Sequence, residues 1–372
     1  MRALRVVVTA VLAVVLSAGL VPDGVPSAQA QRGPAPVLDR PTTTTKSVVL
    51  TGRARPRALV SLQVRTSRWV TVRRVRATGT GRYRVVVPAP ATTRSFRSVS
   101  LRRASTVRRV VPVKAPAPPT DGCGVRPKRR TGGYYSCTFV DQFEGTALDT
   151  ERWLGQNMLG QGERCVAAGP STVAVADGTL RLSVVPTTDD EPCPLRADGT
   201  RGSYAAGWIS THGRWSQQYG RFEARMKSQA SALPGLHEAF WLWPDIRYAS
   251  DADWPNTGEI DIAETYSVHP DLAIPFLHYS ADSGGPVPGL NTAWNCRTTR
   301  GAWHTYALEW TADRLEVFVD GRSCLVNTSG AASFRKRFII NLTQLLGTGT
   351  NLWTGAVPLP ATMEVDWVKA WS

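Results

Sequence analysis

The sequence predicts an all-β protein, with a small basic β-sandwich followed by a larger two-sheet sandwich. The length of 372 residues allows about two domains at ~150 residues each. Short runs that alternate apolar and polar residues recur along the chain, as in strands with one buried face. The part of the chain after Cys123 shows no convincing amphipathic helix and no internal repeat, which favours a sandwich over a helical bundle, solenoid or propeller.

The positive charge of the chain is concentrated near its beginning. Residues 31–130 contain 24 lysines and arginines against two aspartates, whereas residues 131–372 contain 18 against 26 acidic residues. The formal net charge of +15 therefore combines a basic segment with a mildly acidic one. The acidic segment would repel phosphates, so nucleic acid is not an expected partner of the larger domain.

The first thirty residues have the pattern of a secretory signal peptide. Arg2 and Arg5 precede an apolar run over residues 6–20, and an A-x-A cleavage pattern ends at Ala30. The run is short for a membrane span of ~20 residues, and no second apolar run follows it. We predict cleavage before Gln31 and a secreted protein without a membrane anchor.

The cysteine count agrees with export, because an even number favours disulfide bonds in an oxidising compartment. Sequential pairing is favoured because each pair closes a short loop, although the sequence leaves the connectivity open. A zinc site is disfavoured because there is no C-x-x-C motif and histidine is scarce. The six cysteines are Cys123, Cys137, Cys165, Cys193, Cys296 and Cys324.

Composition divides the chain into five predicted segments. They are a signal peptide (1–30), a Pro/Thr-rich linker (31–47), the basic β-sandwich module (48–113), a Pro-rich linker (114–122) and the large domain (123–372). The module contains no Asp, Glu, Cys or His, so it offers no catalytic group. Three roles stay open for it: binding an anionic cell-surface polymer by charge, acting as a spacer, or binding carbohydrate through Trp69, Tyr83 and Phe96. Nucleic acid is feasible for so basic a patch, but it is not expected to meet an exported chain.

The most informative stretch carries three acids in the pattern E-I-D-I-A-E. On a strand, Ile260 and Ile262 face one way, and Glu259 and Asp261 face the other. Glu264 is out of phase by one residue, and a β-bulge would return it to the face of the other acids. Acids on one face raise one another's pKa, and glycoside hydrolysis uses one ionised and one protonated carboxyl group. An acidic surface strand or a calcium loop is the alternative for these residues taken alone.

The chain from about Phe139 to Ser372 resembles glycoside hydrolase family 16. Its E-x-D-x-x-E pattern is the bulged form found in laminarinase-like and agarase-like members. Other stretches match the family in order: 139–145, 177–183, 206–211, 219–227, 239–244, 303–310, 341–342 and 365–368. The resemblance implies a concanavalin A-like β-jelly roll of two bent antiparallel sheets, with a sugar-binding cleft on the concave face.

The same resemblance implies the roles of the acids. Glu259 is expected to be the nucleophile, Glu264 the general acid/base and Asp261 their helper, whose shorter side chain does not reach the sugar. His278, on a neighbouring strand, is expected to support them. Candidates to bind sugar are Trp241, Trp254 and Trp353 by stacking, and Arg225 and Asn341 by hydrogen bonding. An ion pair with a local carboxylate is the alternative for Arg225.

No cofactor is expected for catalysis, whereas a structural calcium ion is expected at Asp366 and the backbone near Gly178, by resemblance to many members. This sequence departs from the family pattern at two places where family members line their sugar-binding cleft. These departures leave the identity of the substrate undecided. His237-Glu238 stands where many laminarinase-like members have Trp-Pro, and residues 346–350 replace a usual Gly-Gly.

The sequence therefore predicts a secreted, monomeric, endo-acting β-glucan hydrolase, with β-1,3 bonds favoured. Retention of anomeric configuration is expected, because one strand carries both glutamates, too close together for an intervening water. Alternatives are another β-glycan (β-1,3-1,4-glucan, agarose or a related galactan), a transglycosylase, and a non-catalytic jelly-roll lectin. A lectin would have little reason to keep three acids at bulged spacing.

Overall fold

The computed structural model of the protein describes residues 33–160, 163–281 and 287–372, so the predicted signal peptide lies outside the described residues. The chain divides into two compact units, of which unit 1 ends at Ala117 and unit 2 spans Pro118–Ser372. Within the described ranges, no helix has the length and apolar character needed to cross a membrane.

Unit 1 is built from two small antiparallel sheets. Its described strands are β1 (Val37–Leu38), β2 (Thr42–Thr43), β3 (Ser47–Arg53), β4 (Leu59–Arg65), β5 (Trp69–Arg76), β6 (Arg82–Pro88), β7 (Arg94–Ser100), β8 (Arg103–Ala104) and β9 (Arg108–Val110). One sheet has the order β1-β3-β2 with β6 also paired to β3, and the other has the order β5-β4-β7-β8 with β9 paired to β7. Alternating side chains of these strands, such as Val48, Leu50, Val60 and Leu62, fill the core.

The structure corrects two predictions for unit 1. The predicted linker over 31–47 is wrong for residues 37–43, because β1 and β2 pair with β3 and Leu38 is fully buried. Tyr83 and Phe96 lie in the core, so they present no aromatic face to a sugar. The guanidinium of Arg97 lies 4.3 Å from the ring centroid of Trp69 and covers that face of the indole.

Unit 2 contains two large sheets and a small hairpin. Its described strands are β10 (Thr120–Asp121), β11 (Gly124–Val125), β12 (Cys137–Asp141), β13 (Leu154–Gly155), β14 (Asn157–Leu159), β15 (Arg164–Ala167), β16 (Val173–Ala176), β17 (Thr179–Pro186), β18 (Tyr204–Ala206), β19 (Trp208–Ser210), β20 (Gly220–Lys227), β21 (Leu236–Pro244), β22 (Glu259–Tyr266), β23 (Ile274–His278), β24 (His304–Thr311), β25 (Arg314–Val319), β26 (Arg322–Asn327), β27 (Phe338–Leu346) and β28 (Ala361–Trp371). Single 3-10 turns span Ala332–Phe334 and Gly349–Asn351. Since β10 pairs Thr120 and Asp121 with β11, the predicted linker over 114–122 is wrong at its end.

The two large sheets of unit 2 pack face to face, as predicted for a sandwich. The six-stranded sheet has the order β13-β19-β27-β21-β22-β23, and the eleven-stranded sheet runs β14-β15-β18-β17-β28-β20-β24-β25-β26, with β12 and β16 paired to β28 and β17. Phe222 and Leu308 of the larger sheet share one core with Phe240 and Ile260 of the smaller one. Each such buried side chain contributes about 1.5–3 kcal/mol. The residues that alternate with them along β20, β21 and β22 face away from this core.

The predicted sequential disulfide pairing is confirmed. The bonds join Cys123 to Cys137, Cys165 to Cys193 and Cys296 to Cys324. All three lie in unit 2, where they tie loops and strand ends to the sandwich.

A buried ion pair lies on the core side of β21. Glu238 accepts hydrogen bonds from Arg300 at 2.8 and 2.5 Å and from the Thr265 hydroxyl at 2.7 Å. The two charged side chains are 0% and 2% exposed. The pair joins β21 to β22 through Thr265 and holds Arg300 in the interior.

Glu238→Ala is expected to lower the free energy of unfolding of unit 2 by ~3–5 kcal/mol, because it leaves the Arg300 charge buried without a partner. Denaturation in urea, followed by tryptophan fluorescence, measures this loss. Glu364→Ala is the matched control, because it removes the partly exposed partner of Lys227 and should cost ~0–1 kcal/mol. Equal, small losses in both variants would contradict a stabilising role for the buried pair.

Candidate active site

The three predicted acids lie on the outer face of β22. In the pairing with β21, Phe240 lies opposite Ala263 and Trp241 opposite Asp261, so Ile262 is an extra residue. Ile262 and Ala263 are both buried, which is the two-residue step of a bulge. The predicted bulge is thus confirmed, and it returns Glu264 to the face of Glu259 and Asp261.

Gly258 sets the point at which β22 begins. Its φ of +91° lies in the region that favours glycine, and an added Cβ would lie 2.6 Å from the carbonyl oxygen of Ser333. The close approach leaves no room for a side chain. Gly258 therefore passes close to Ser333, and β22 begins at the next residue, Glu259.

Glu259 and Asp261 share a ring of polar contacts. The indole N–H of Trp254 donates to Oε2 of Glu259 at 2.7 Å. Nε2 of His278 lies 3.3 Å from Oδ2 of Asp261 and 3.9 Å from Oε2 of Glu259. The ligand atoms of Glu259, Asp261 and His278 all lie within 4.8 Å of one another, and of the two histidine distances only the 3.3 Å from His278 to Asp261 is within hydrogen-bonding reach. His278 therefore lies where the predicted supporting role requires.

Burial makes these carboxyl groups reluctant to ionise together. Burial raises the pKa of Glu259 to about 7, and the Glu264 charge adds to this while the Trp254 hydrogen bond opposes it. Burial, with the charges of Glu259 and Glu264, also raises the pKa of Asp261 well above its ordinary value. Glu259 and Asp261 therefore do not both ionise readily near neutral pH, so a proton shared out over this pair limits how much of Glu259 is a free carboxylate there.

Glu264 has two aromatic partners that the sequence analysis did not identify. Nε2 of His237 lies 2.8 Å from Oε1 of Glu264. Burial together with the charge of Glu264 raises the pKa of Tyr266, which lies two residues further along β22. His237 was noticed in the sequence only as a departure from the family, and the register between β21 and β22 gives it a partner.

A row of tryptophans lies beside the acids on the outer face of the six-stranded sheet. Trp241 packs against Trp208 and Trp243, with ring centroids 5.3 and 6.0 Å apart. Asn341 accepts a hydrogen bond from the Trp208 indole at 3.0 Å. The Nδ2 group of Asn341 is buried and has no hydrogen-bond partner among the described residues. Trp241 thus lies on the same face as the acids, whereas the Asn341 side chain is buried, and the sugar contacts of both residues stay predictions.

Trp353 lies at the end of this sheet, beside the start of β21. Its ring packs edge to face on Tyr204, with centroids 4.7 Å apart. Gly235 has a φ of +144°, and a Cβ there would lie 2.7 Å from the Trp353 ring. Trp353 is therefore several residues along β21 from the acids, and any sugar it stacks on would occupy a distant subsite.

The predicted role of Arg225 in the cleft is wrong. Arg225 alternates along β20 with the core residues Ala224 and Met226, so it lies on the outer face of the other sheet. There its guanidinium pairs with Asp366 and lies 4.8 Å from the ring centroid of Trp303. This is the ion pair that the sequence analysis kept as the alternative.

The residues near Gly178 do not fit the expected calcium ion. Calcium takes about six to eight oxygen ligands, whereas the Asp366 carboxylate is already bound by Arg225. Asp177, next to Gly178, pairs with Arg181 instead.

We therefore expect that EDTA leaves the melting temperature of the protein unchanged. Scanning calorimetry with and without EDTA measures this temperature. A fall in melting temperature that added calcium reverses would contradict this.

The arrangement is suited to cleaving glycosidic bonds. Two glutamates flank an aspartate on one strand face, one has a donor that favours its anion, and tryptophans lie alongside to receive sugar rings. A two-sheet sandwich with such a site is the class of a glycoside hydrolase.

The comparisons with known proteins agree with this class. The model of the glycosyl hydrolases family 16 matches residues 166–369, which is more than half of the chain, and the chain belongs to that family. A beta-glucanase of Rhodothermus marinus is 34% identical over 119 residues, which cover 32% of this chain and 40% of the relative. A glucan endo-1,3-beta-glucosidase A1 of Niallia circulans is 26% identical over 266 residues, which cover 62% of this chain and 37% of the relative.

Solved structures show the same fold. The crystal structure of the E144S mutant of SCLam, a non-specific endo-β-1,3(4)-glucanase of the same family, is similar with a TM-score of 0.54 and 25% identity. The match covers 64% of this chain and 94% of that one. By contrast, the chain spans only about two fifths of the length of the two curated relatives named above.

Proposed function

We propose that the protein is a secreted endo-β-glucan hydrolase that cleaves β-1,3 bonds with retention of anomeric configuration. The observation that carries this proposal is the bulge at Ile262, which sets Glu259 and Glu264 on one face with Asp261 between them. Retaining enzymes need a nucleophile and an acid/base that reach the same bond.

In the proposed mechanism, the Glu259 carboxylate attacks the anomeric carbon while Glu264 gives its proton to the leaving oxygen. A covalent glycosyl-enzyme results. Water then attacks the same carbon, Glu264 takes the proton of the water, and the Glu259 carboxylate leaves. The Trp254 indole can only donate, so its hydrogen bond to Glu259 favours the ionised nucleophile. This contact supports the division of roles.

Relatives named as beta-glucanases and endo-1,3-beta-glucosidases support the substrate class. Laminarin, lichenan, agarose, carrageenan and xyloglucan form the panel that tests it, with reducing ends as the readout. Laminarin should give the highest rate, with oligosaccharides as early products. Faster cleavage of agarose or lichenan would assign that polysaccharide as the substrate in place of a β-1,3-glucan. Products longer than the starting chains would reveal transglycosylation. Binding without any product would indicate a lectin. No product from any β-glucan would overturn the proposal.

The rate of this proposed hydrolase should depend on pH through Glu259. The nucleophile must be ionised and its pKa is raised to about 7, so kcat/KM should rise through neutral pH. Trp254→Phe removes a donor to the anion, which is worth about 1.5 kcal/mol or more. The midpoint of the rise should therefore move upward by about one pH unit.

A pH series of kcat/KM on laminarin measures this shift. Trp294→Phe serves as the control, because Trp294 packs on His269, and it should keep the midpoint of the wild type. A midpoint that stays or falls in Trp254→Phe would contradict the role of the indole.

Secretion is supported by the signal-like first thirty residues and by the three disulfides. We further propose that unit 1 binds an anionic cell-surface polymer by charge. Its described residues contain 19 lysines and arginines against one aspartate, and within the described parts of the chain no ion pair involves a residue before Asp121. Binding to an anionic wall polymer should weaken steeply with salt, whereas salt-insensitive binding to neutral β-glucan would overturn this.

A further inference from the structure

The dipeptide His237-Glu238 departs from the family pattern, and the structure gives each residue a partner. Glu238 points into the core and is held by Arg300. His237 lies on the outer face of β21, opposite Tyr266 of β22. Its Nε2 reaches Oε1 of Glu264 at 2.8 Å.

The His237 ring is held in a defined plane. It stacks on the ring of Tyr266 with centroids 4.4 Å apart and an angle of 6° between the planes. The side chains of His237 and Glu264 are 20% and 14% exposed, so little water competes for their hydrogen bond. The buried pair of Glu238 and Arg300 anchors the backbone directly after His237.

The chemistry of an imidazole suits this position. Glu264 alternates between the protonated and ionised forms during a proposed reaction cycle. An imidazole Nε2–H can donate to Oε1 when Glu264 is a carboxylate, and equally when Glu264 is a carboxylic acid whose proton is on Oε2, because Oε1 is then the carbonyl oxygen. The contact at Oε1 can therefore persist in both forms, and Oε2 can carry the proton to the glycosidic oxygen or take it from the attacking water.

We propose that His237 is a positioning residue that holds the Glu264 carboxyl group in both of its protonation states. This inference rests on the proposed function, since it assigns a task to the acid/base of that reaction. It acts through Glu264 and does not contact the reacting atoms. Tyr266 contributes by fixing the plane of the His237 ring.

The test compares two substrates in His237→Leu. The value of kcat/KM reports the first chemical step, which needs protonation only when the leaving group is poor. On laminarin, kcat/KM should fall about 10- to 100-fold, less than the ~10²–10⁴-fold that full acid/base catalysis supplies. On a 2,4-dinitrophenyl β-laminaribioside, kcat/KM should stay within about threefold of the wild type, because this leaving group needs little protonation.

Two further variants separate positioning from folding. His237→Gln has an amide that can donate and accept, so it should recover most of the rate on laminarin. His269→Leu removes a histidine that packs on Trp294, and it should match the wild type on both substrates. Equal losses on both substrates in His237→Leu would show a structural role and overturn the inference.

The inference and the proposed function fail in different ways. An active wild type with an unchanged His237→Leu variant would overturn the inference alone. A wild type that cleaves neither laminarin nor the aryl glycoside would overturn the proposed function, and the inference with it.

Discussion

Glu259→Ala is expected to abolish hydrolysis, with a loss of at least ~10⁴-fold, as when the nucleophile is removed from other enzymes with covalent intermediates. Asp261 cannot replace it, because its side chain is one methylene shorter and its carboxylate faces His278 at 3.3 Å. The hole left by Glu259 can admit azide. Azide would attack the β-glycoside directly and give the α-glycosyl azide.

Reducing-end assays and product NMR measure both outcomes. Glu309→Ala is the matched control, because Glu309 lies on β24 of the other sheet and pairs with Arg221 of β20. This variant should retain the wild-type rate. Substantial residual hydrolysis of laminarin by Glu259→Ala would assign the nucleophile to another group.

Glu264→Ala is expected to separate the two chemical steps. On laminarin the rate should fall ~10²–10⁴-fold, which is the contribution of general acid/base catalysis. On a dinitrophenyl glycoside the first step should survive, since the leaving group needs no proton. The second step should slow, because no base activates the water, and the glycosyl-enzyme should accumulate as an initial burst of released phenolate.

Azide should restore turnover of Glu264→Ala by attacking the intermediate on Glu259, and the product should be the β-glycosyl azide. The opposite azide anomers from the two variants would identify the two roles independently. Complete loss on every substrate in both variants, with no azide product from either, would contradict the division of roles between Glu259 and Glu264.

The bulge could be predicted from the sequence because a strand has a strict period of two. Glu264 breaks the period set by Glu259 and Asp261, and one extra residue is the local change that restores it. Sequential disulfide pairing was likewise favoured by local spacing, although the sequence alone left the connectivity open. In both cases the information lies within a short stretch of chain.

The partners of Glu264 could not be predicted, because they depend on the register between two strands. His237 and Glu264 are far apart in sequence and meet only because β21 pairs with β22 in one register. The predicted role of Arg225 in the cleft was wrong for a related reason. Alternation along β20 shows that Arg225 and Met226 face opposite ways, but it does not show which sheet covers the site.

The predictions of the linker boundaries failed because β1 and β2 are each only two residues long. Such strands carry too few alternations to be distinguished from a Pro/Thr-rich linker. The burial of Leu38 against the core of unit 1 depends on contacts with distant strands, which composition does not show.

The central claim is double displacement on a β-1,3-glucan through a glycosyl-enzyme on Glu259. Proton NMR of laminarin digestion at early times, before the released sugar mutarotates, tests it most directly. The account predicts that the β-anomer of the new reducing end appears first and the α-anomer only later. Appearance of the α-anomer first would show inversion and would contradict the account.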